Sequence, residues 1–452
     1  MSGCRMSLQQ AADAVGGILT RKDSASLVFD GVSTDSRNID EQELFIALKG
    51  PNFDAHDYVG RISQVAAAAI VEREIECDLA QIVVSNTHYA LGQLASAWRT
   101  TLNIPVIGVT GSNGKTTVKE MLAAIFGVSG NTFATKGNLN NDIGVPLSLL
   151  SIDKTHATAI IEMGANHANE IAYLTNIARP NVALVNNAGE AHLEGFGSLE
   201  GVAKAKGEIY QGLVLGGTAI INVDDRFAPL WQDLCRDYQV LTFAMDKTAD
   251  VRAEIQSNAN VKVTTPAGEF EFLPPLVGRH NIMNAMAATA ASVAAEVPLP
   301  QIKQGLESMR PVPGRLQPAK GINGALFIND AYNANPLSTR AAISVLKQYK
   351  GPKILVLGDM GELGNDTESL HSEIGLYAKT NGIDKLLGFG PLCENAIAAF
   401  GANGKHFDSQ EALTEHLKKI VTGESTVLIK GSRSMKMEKV FESCTDSKGG
   451  KS

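Results

Sequence analysis

A chain of 452 residues, 44% hydrophobic and 19% charged, has the composition of a folded globular protein and the length for two to four domains at roughly 100 to 200 residues each, of which three is the number expected here. A formal net charge of -8, with no basic run beyond the short region from Lys430 to Lys439, excludes general nucleic-acid binding, which needs clustered lysine and arginine. The five cysteines, Cys4, Cys77, Cys235, Cys393 and Cys444, are scattered without C-x-x-C spacing, so neither a disulfide framework nor a zinc site is expected. The N-terminus has no apolar run of the signal-peptide kind, and no stretch reaches the roughly 18 apolar residues of a membrane span, so a cytoplasmic protein is expected.

In chain order, apolar residues recur at helical spacing from Leu8 to Leu19, and Leu44-Phe-Ile-Ala-Leu48 and Ala67-Ala-Ala-Ile-Val71 read as short buried strands. Residues 1 to 86 thus form a small α/β unit. A helix over 90–101 leads into the strand Pro105-Val-Ile-Gly108, the loop Val109-Thr-Gly-Ser-Asn-Gly-Lys-Thr-Thr117 and a helix over 118–126. Strands at 157–161, 182–185 and 219–222 then alternate with helices at 171–178 and 202–213, the pattern of a parallel sheet covered on both faces. Between Asp250 and Leu273 short alternating segments joined at Pro266-Ala-Gly268 predict a β-hairpin, and an alanine-rich helix over 282–297 follows. The proline-punctuated Met309-Arg-Pro-Val-Pro-Gly-Arg315 reads as a linker. Beyond it, strands at 326–329, 353–358, 385–390 and 426–430 predict a second doubly wound sheet. The expected fold is α/β with three domains: a small α/β N-terminal domain (1–86), a central P-loop ATPase-type parallel sheet (87–312) and a C-terminal Rossmann-like doubly wound sheet (313–452).

The loop at 109–117 departs from G-x-x-x-x-G-K-[ST], having valine at 109 where that pattern wants glycine. It keeps the essentials of a phosphate loop: Gly111 and Gly114 for close backbone approach, Lys115 for β- and γ-phosphates, the Thr116 hydroxyl for magnesium, and a helix N-terminus beginning near Thr117. Because no N-K-x-D guanine reader is present, ATP is the expected nucleotide. In Ile160-Ile-Glu-Met-Gly-Ala-Asn-His167, Glu162 ends an apolar strand, which places a carboxylate at the sheet edge where ligands of α/β proteins gather and a hard magnesium ion finds oxygen. The next strand brings Asn186, Asn187 and His192 to the same edge. Asn281 and Asn284 sit one helical turn apart, suited to the donor and acceptor edge of adenine, with helix capping the alternative for Asn281.

Seven segments, Thr110-Gly-Ser-Asn-Gly-Lys-Thr-Thr, Gly137-Asn-Leu-Asn-Asn-Asp-Ile-Gly-Val-Pro146, Glu162-Met-Gly-Ala-Asn-His, Ala191-His-Leu-Glu-Gly-Phe, Ala203-Lys-Ala-Lys-Gly-Glu-Ile, Gly278-Arg-His-Asn-Ile-Met-Asn284 and Asn329-Asp-Ala-Tyr-Asn-Ala-Asn-Pro336, stand in the order that resembles the Mur ligases of peptidoglycan synthesis. The resemblance runs from about Val32 to Lys439, and the shorter phosphate loop is that family's form. The segments Ala47-Leu-Lys-Gly50, Asp54-Ala-His-Asp57 and Tyr332-Asn-Ala-Asn335 resemble the branch that adds D-alanyl-D-alanine to a UDP-N-acetylmuramoyl-tripeptide. The D-N-P-R signature of the branch that adds diaminopimelate or lysine is missing, and either residue stays open as the third of the tripeptide. Folylpolyglutamate synthase, a relative of this superfamily, does not resemble the separate first domain with its Ser33–Arg37 segment. An NTP-driven switch, the rival from another class, would hydrolyse ATP without making a product.

The resemblance implies a mechanism in which ATP phosphorylates the peptide's carboxylate and the amine of D-alanyl-D-alanine attacks the acyl phosphate. It implies an ATP site formed by Thr110, Gly111, Ser112, Asn113, Gly114, Lys115, Thr116 and Thr117 with Asn281, Asn284, Arg315 and Asp330, in which Arg315 reaches the γ-phosphate and Asp330 the ribose once the C-terminal domain swings in. Lys115, Glu162, His192 and Lys206 are the expected catalytic set, and Thr116, Glu162, His192 and Lys206 the expected magnesium ligands. An ammonium cannot ligate a cation; the resemblance implies that Lys206 is carbamylated into a carboxylate-like group. In the first domain Ser33, Thr34, Asp35 and Arg37, with Lys49 and Asp54, are expected to bind the uridine-diphosphate part, and Asn138, Asn140 and Asn141 the muramoyl-peptide side. Lys430-Gly-Ser-Arg433 is expected to meet a carboxylate in the C-terminal domain, and the chain is expected to act as a monomer.

Overall fold

Ser7 caps the first helix, Leu8–Val15, by accepting from the Gln10 N–H while the Gln10 side chain returns to the Ser7 N–H, two otherwise orphaned donors satisfied at once. Leu8, Ala11, Ala12 and Val15 form its buried face. The periodicity predicts a helix to Leu19, but Gly16 adopts φ 61° and ends it, a conformation cheap only for glycine. Ile18–Leu19 instead pair antiparallel with Gln81–Val83. The computed structural model describes residues 3–445 of the chain. From one edge inward, the first sheet is ordered Ile18–Leu19, Gln81–Val83, Ala68–Val71, Leu44–Ile46 and Val32–Ser33, parallel after the first pair.

The central sheet has nine strands, ordered Thr132–Ala134, Thr158–Glu162, Val106–Thr110, Val182–Val185, Thr218–Asn222, Gln239–Ala244, Val251–Ile255, Val261–Thr265 and Gly268–Phe272. The first seven run parallel and the last two turn antiparallel. The predicted hairpin is therefore this sheet's outer edge. Val106–Thr110 leads to neighbours on both sides, so chain order reverses there and a ligand crevice opens at its carboxyl end. Register fixes which residues share that end: Val109 lies opposite Glu162 and Leu184, and Thr110 opposite Val185.

Helices Lys115–Gly127, Arg279–Ala294 and Leu299–Ser308 pack a shared core on one face. Leu299–Ser308 crosses the first closely: a Cβ on Gly305 would lie 2.4 Å from Ile125 Cα. The core of the other face runs without a break into the first domain, joining Cys4, Leu8 and Phe29 to Trp98, Leu150 and Trp231. The single helix predicted over 202–213 is an α-helix, Leu199–Gly207, tightening into a 3-10 turn, Glu208–Gly212. The Glu208 carboxylate accepts from the N–H groups of Asn169 and Ala172 at 2.8 and 3.1 Å, and Tyr210 Oη donates to Ile220 O.

The C-terminal sheet is ordered Gln317–Lys320, Leu326–Asp330, Thr426–Lys430, Lys353–Gly358, Lys385–Phe389 and Gly404–Phe407, parallel except for the first pair. Two separate cores, one beneath Pro336–Leu346, Thr367–Thr380 and Cys393–Phe400 and one beneath Gln410–Ile420 and Glu438–Cys444, make it doubly wound. All five cysteines are free thiols. Among the described residues no helix is long and apolar enough to cross a membrane.

Candidate active site

Val109 is a strand residue, fully buried and paired on both sides, which explains why it is not glycine; the loop proper begins at Gly111. Gly111 and Gly114 adopt φ 149° and 80°, and a Cβ on Gly114 would fall 2.3 Å from Asn284 Oδ1 and 2.4 Å from Asn186 Nδ2, so both conformation and space require glycine there. The following strand holds the loop in shape. Asn187 accepts from Ser112 N through its carbonyl and from Asn113 N through Oδ1, at 3.0 and 2.9 Å, and Asn186 Nδ2 donates to Asn113 O at 2.9 Å. Thr110, expected at the nucleotide, is buried beneath the loop and donates its hydroxyl to Met163 O at 2.8 Å. Lys115 Nζ folds back onto Gly111 O at 2.7 Å. Burial lowers its pKa, Arg315 adds to the effect and Glu162 opposes it.

Glu162 is 2% exposed. Its Oε1 accepts from Asn140 Nδ2 at 2.8 Å, while its Oε2 is buried without a hydrogen-bond partner. Such an orphaned carboxylate oxygen is costly unless a cation or donor completes it. His192, at φ 55°, has its pKa lowered, by burial first and then by Lys115 and Lys206 against the opposing Glu362, which favours the neutral, metal-ligating imidazole. The Glu162 carboxylate and the Thr116 hydroxyl are the oxygen donors a magnesium ion takes, with the His192 imidazole the less usual nitrogen donor beside them. Lys206 is 1% exposed; its Nζ lies 3.5 Å from Ala165 O and over the Phe196 ring at 5.2 Å. Burial first, and Lys115 next, bring its pKa down to about 7, against Glu208 and Glu170.

The C-terminal domain closes over this edge. Arg315 Nη2 donates to Thr116 Oγ1 at 2.9 Å, its guanidinium stacks on Tyr332 at 4.3 Å, and its Nε is buried without a partner. Asn335 Nδ2 donates to Asn113 Oδ1 at 2.9 Å. Asp330 accepts from Leu316 N at 3.1 Å and from Lys430 Nζ at 2.6 Å. The carboxylate that Lys430 meets is thus the protein's own, and Arg433 pairs with Glu438 at 3.0 Å on the exposed side. Between the two domains lies a cavity of about 680 Å³ lined by Ser112, Asn113, Gly114, Lys115, Thr117, Glu162 and His192 on one wall and Arg315, Asp330 and Tyr332 on the other.

Asn281 and Asn284 also line the cavity, with their amides linked in a chain: Asn186 Nδ2 donates to Asn284 Oδ1, Asn284 Nδ2 to Asn281 Oδ1, and Asn281 Nδ2 to Val277 O. They brace the phosphate loop from behind, and each amide keeps a second N–H and lone pair. Asn138, Asn140 and Asn141 reach the cavity, where Asn140 aims Glu162 and Asn141 Oδ1 accepts from Gly144 N at 2.8 Å. Ser33, Thr34, Asp35, Arg37, Lys49 and Asp54 lie outside it, on the first domain. There Arg37 grips Asp35 through two N–H groups at 2.8 and 2.7 Å and holds its carboxyl at about 2. Asp54 caps the turn Ala55–Tyr58 and holds His56 and Arg73; these bonds lower its pKa despite burial. Tyr332 and Asn335 are read from the sequence only as parts of motif segments; their contacts, with Arg315 and with Asn113 of the phosphate loop, come from the fold.

A second buried group, Asp359, His371 and Cys393, has the residue types of a metal site but is satisfied internally. His371 Nε2 accepts from Met360 N and Nδ1 faces Thr367 O, while Asp359 Oδ1 accepts from Cys393 N and Cys393 Sγ donates to Leu357 O.

Residues 109–292 match the Mur ligase middle domain and residues 314–433 the Mur ligase, glutamate ligase domain. The chain is similar to the UDP-N-acetylmuramoyl-tripeptide–D-alanyl-D-alanine ligase of Escherichia coli (strain K12), 43% identical over 96% of this chain and 97% of the relative. It is also similar to that of Bacillus subtilis (strain 168), 36% identical over 98% and 99%. Among solved structures, MurF from Acinetobacter baumannii superposes with a TM-score of 0.93 at 37% identity, covering 98% of this chain and 99% of that one. MurF ligase from Thermotoga maritima in complex with ADP superposes at 0.82 and 28% identity, covering 91% and 96%.

Proposed function

The chain belongs to the Mur ligase family and is an ATP-dependent ligase that adds D-alanyl-D-alanine to UDP-N-acetylmuramoyl-tripeptide in peptidoglycan synthesis, and on that premise we propose that the cavity between its second and third domains is where phosphoryl transfer and amide formation occur. The observation that carries this reading is Arg315 on Thr116: a cation from one domain meets the phosphate-loop hydroxyl of the other, where a γ-phosphate bound to Lys115 would sit.

Joining a carboxylate to an amine in water is uphill, so the carboxylate must first gain a leaving group. A carboxylate oxygen of the tripeptide attacks the γ-phosphorus and ADP departs. The amine lone pair of D-alanyl-D-alanine then attacks the carbonyl carbon, phosphate leaves from the tetrahedral intermediate with the former carboxylate oxygen, and the amine loses a proton. The protein's part is positioning and charge neutralisation. Lys115 and Arg315 converge on the transferring group, and the spare N–H and lone pair of Asn281 and Asn284 face adenine while Asp330, set by Lys430, faces the ribose. Magnesium, when bound to Thr116, Glu162, His192 and a modified Lys206, neutralises phosphate charge.

A lysine with pKa near 7 readily gives up one proton to water and becomes a neutral amine; its lone pair then forms the N–C bond with carbon dioxide while a C=O π pair moves onto oxygen, and the nitrogen loses a second proton to water, so that a buried cation becomes a carbamate anion. That change of sign relieves repulsion from Lys115. Ser33, Thr34, Asp35, Arg37, Lys49 and Asp54 bind the uridine-diphosphate end, outside the cavity, and Asn138 and Asn141 guide the peptide inward over Asn140. We place the domain boundaries near residues 86 and 312. One chain supplies both cavity walls, so a monomer suffices, and its nucleotide substrates place it in the cytoplasm. Coupled assay of ADP release tests the reading: release requiring both the nucleotide-sugar peptide and D-alanyl-D-alanine supports it, and equal release with neither would overturn it.

A further inference from the structure

The loop carrying His192 is held from the third domain as well as from its own. Arg340 bridges Glu190 on this loop, at 3.3 Å, to Glu373 of its own domain, at 2.8 Å. Beside that bridge the carboxylate of Glu362 lies against His192 Nδ1 as an ion pair, without hydrogen-bonding geometry, so this buried nitrogen has a carboxylate beside it and no hydrogen bond yet made. Both residues adopt left-handed backbone, φ 63° for Glu362 and 55° for His192, although neither is glycine. Such conformations persist where the surroundings fix them, and they gather at functional sites. The surroundings here are specific. Glu362 follows the strand Lys353–Gly358 on a segment anchored by the fully buried Met360 and the buried Leu363. The internally bonded Asp359, His371 and Cys393 group holds its base, through the Met360 N–H on His371 and the Ser432 N–H on Asp359 O. The segment presents Glu362 outward from a rigid base, toward another domain's histidine.

A histidine that ligates a metal through one nitrogen usually donates its other N–H to a carboxylate, which fixes tautomer and ring orientation. A small turn of the ring would aim Nδ1–H at the adjacent Glu362 carboxylate, leaving Nε2 as the nitrogen with a lone pair to offer. We infer that Glu362 is a positioning residue for the ligase reaction, orienting His192 from across the domain interface, so that this ligand of the central domain is set only when the C-terminal domain is docked. The inference rests on the proposed role of His192 as a magnesium ligand.

Calorimetric titration of the full-length protein with a non-hydrolysable ATP analogue, repeated over a magnesium series, reads this without turnover. Glu362→Ala is expected to raise the magnesium concentration that gives half of the metal-dependent gain in affinity by about tenfold, the range seen when an outer carboxylate is lost, with Glu362→Gln intermediate because its amide oxygen still accepts. In a His192→Asn background, Glu362→Ala is expected to add nothing, the signature of two residues acting as one. Full additivity of the two substitutions, or an unmoved magnesium curve in Glu362→Ala alongside a shifted one in His192→Asn, would overturn the inference and leave the reading of His192 standing. A curve unmoved by His192→Asn would bring down that reading and the inference with it.

Discussion

In the proposed mechanism Lys206 is the residue on which the chemistry turns most sharply, since as an ammonium it would repel both magnesium and the neighbouring Lys115. Its pKa is lowered to about 7, by burial before all else, so the neutral amine dominates above that pH and falls about tenfold for each unit below it. Protein stripped of carbon dioxide should therefore regain activity with bicarbonate at pH 8 and regain little at pH 6, while Lys206→Ala should lose about 10- to 100-fold in kcat and gain nothing from bicarbonate. Full activity in Lys206→Ala would remove the carbamate from the mechanism. Residues such as Glu162 were legible in the sequence because an acid ending an apolar strand has one natural place in a parallel sheet. Asn140, which aims that acid, was legible only as part of an asparagine-rich loop, because its partner is a side chain 22 positions away.

At the scale of elements, the phosphate-loop helix Lys115–Gly127 depends on close packing against Leu299–Ser308. A methyl group on Gly305 would meet the backbone of Ile125 at 2.4 to 2.7 Å, and backbone cannot swing aside as a flexible side chain would. Gly305→Ala should cost about 1–3 kcal/mol as overpacking, seen as a lower thermal midpoint, with ATP relieving part of the loss because binding stabilises the same helix; an unchanged midpoint would mean the helices separate freely. Buried strands such as Thr158–Glu162 and Thr218–Asn222 were readable as unbroken apolar runs. Gln317–Lys320 and Gly404–Phe407 were not, because their half-exposed, mixed residues have no periodicity distinct from a loop.

For the whole molecule, the decisive contacts join segments far apart in the chain. Arg315 meets Thr116 across 199 positions and Asn335 meets Asn113 across 222. Sequence spacing cannot express such pairs: that the C-terminal domain swings onto the ATP site was implied by the family resemblance, while the contacts that join the two walls emerged only from the fold. That docking excludes water from an intermediate that would otherwise hydrolyse. The central claim is that the γ-phosphoryl group passes to the peptide's carboxylate within this cavity. Oxygen-18 placed in that terminal carboxylate tests it most directly: the released inorganic phosphate should carry one labelled oxygen per turnover, and phosphate released without label would contradict the account.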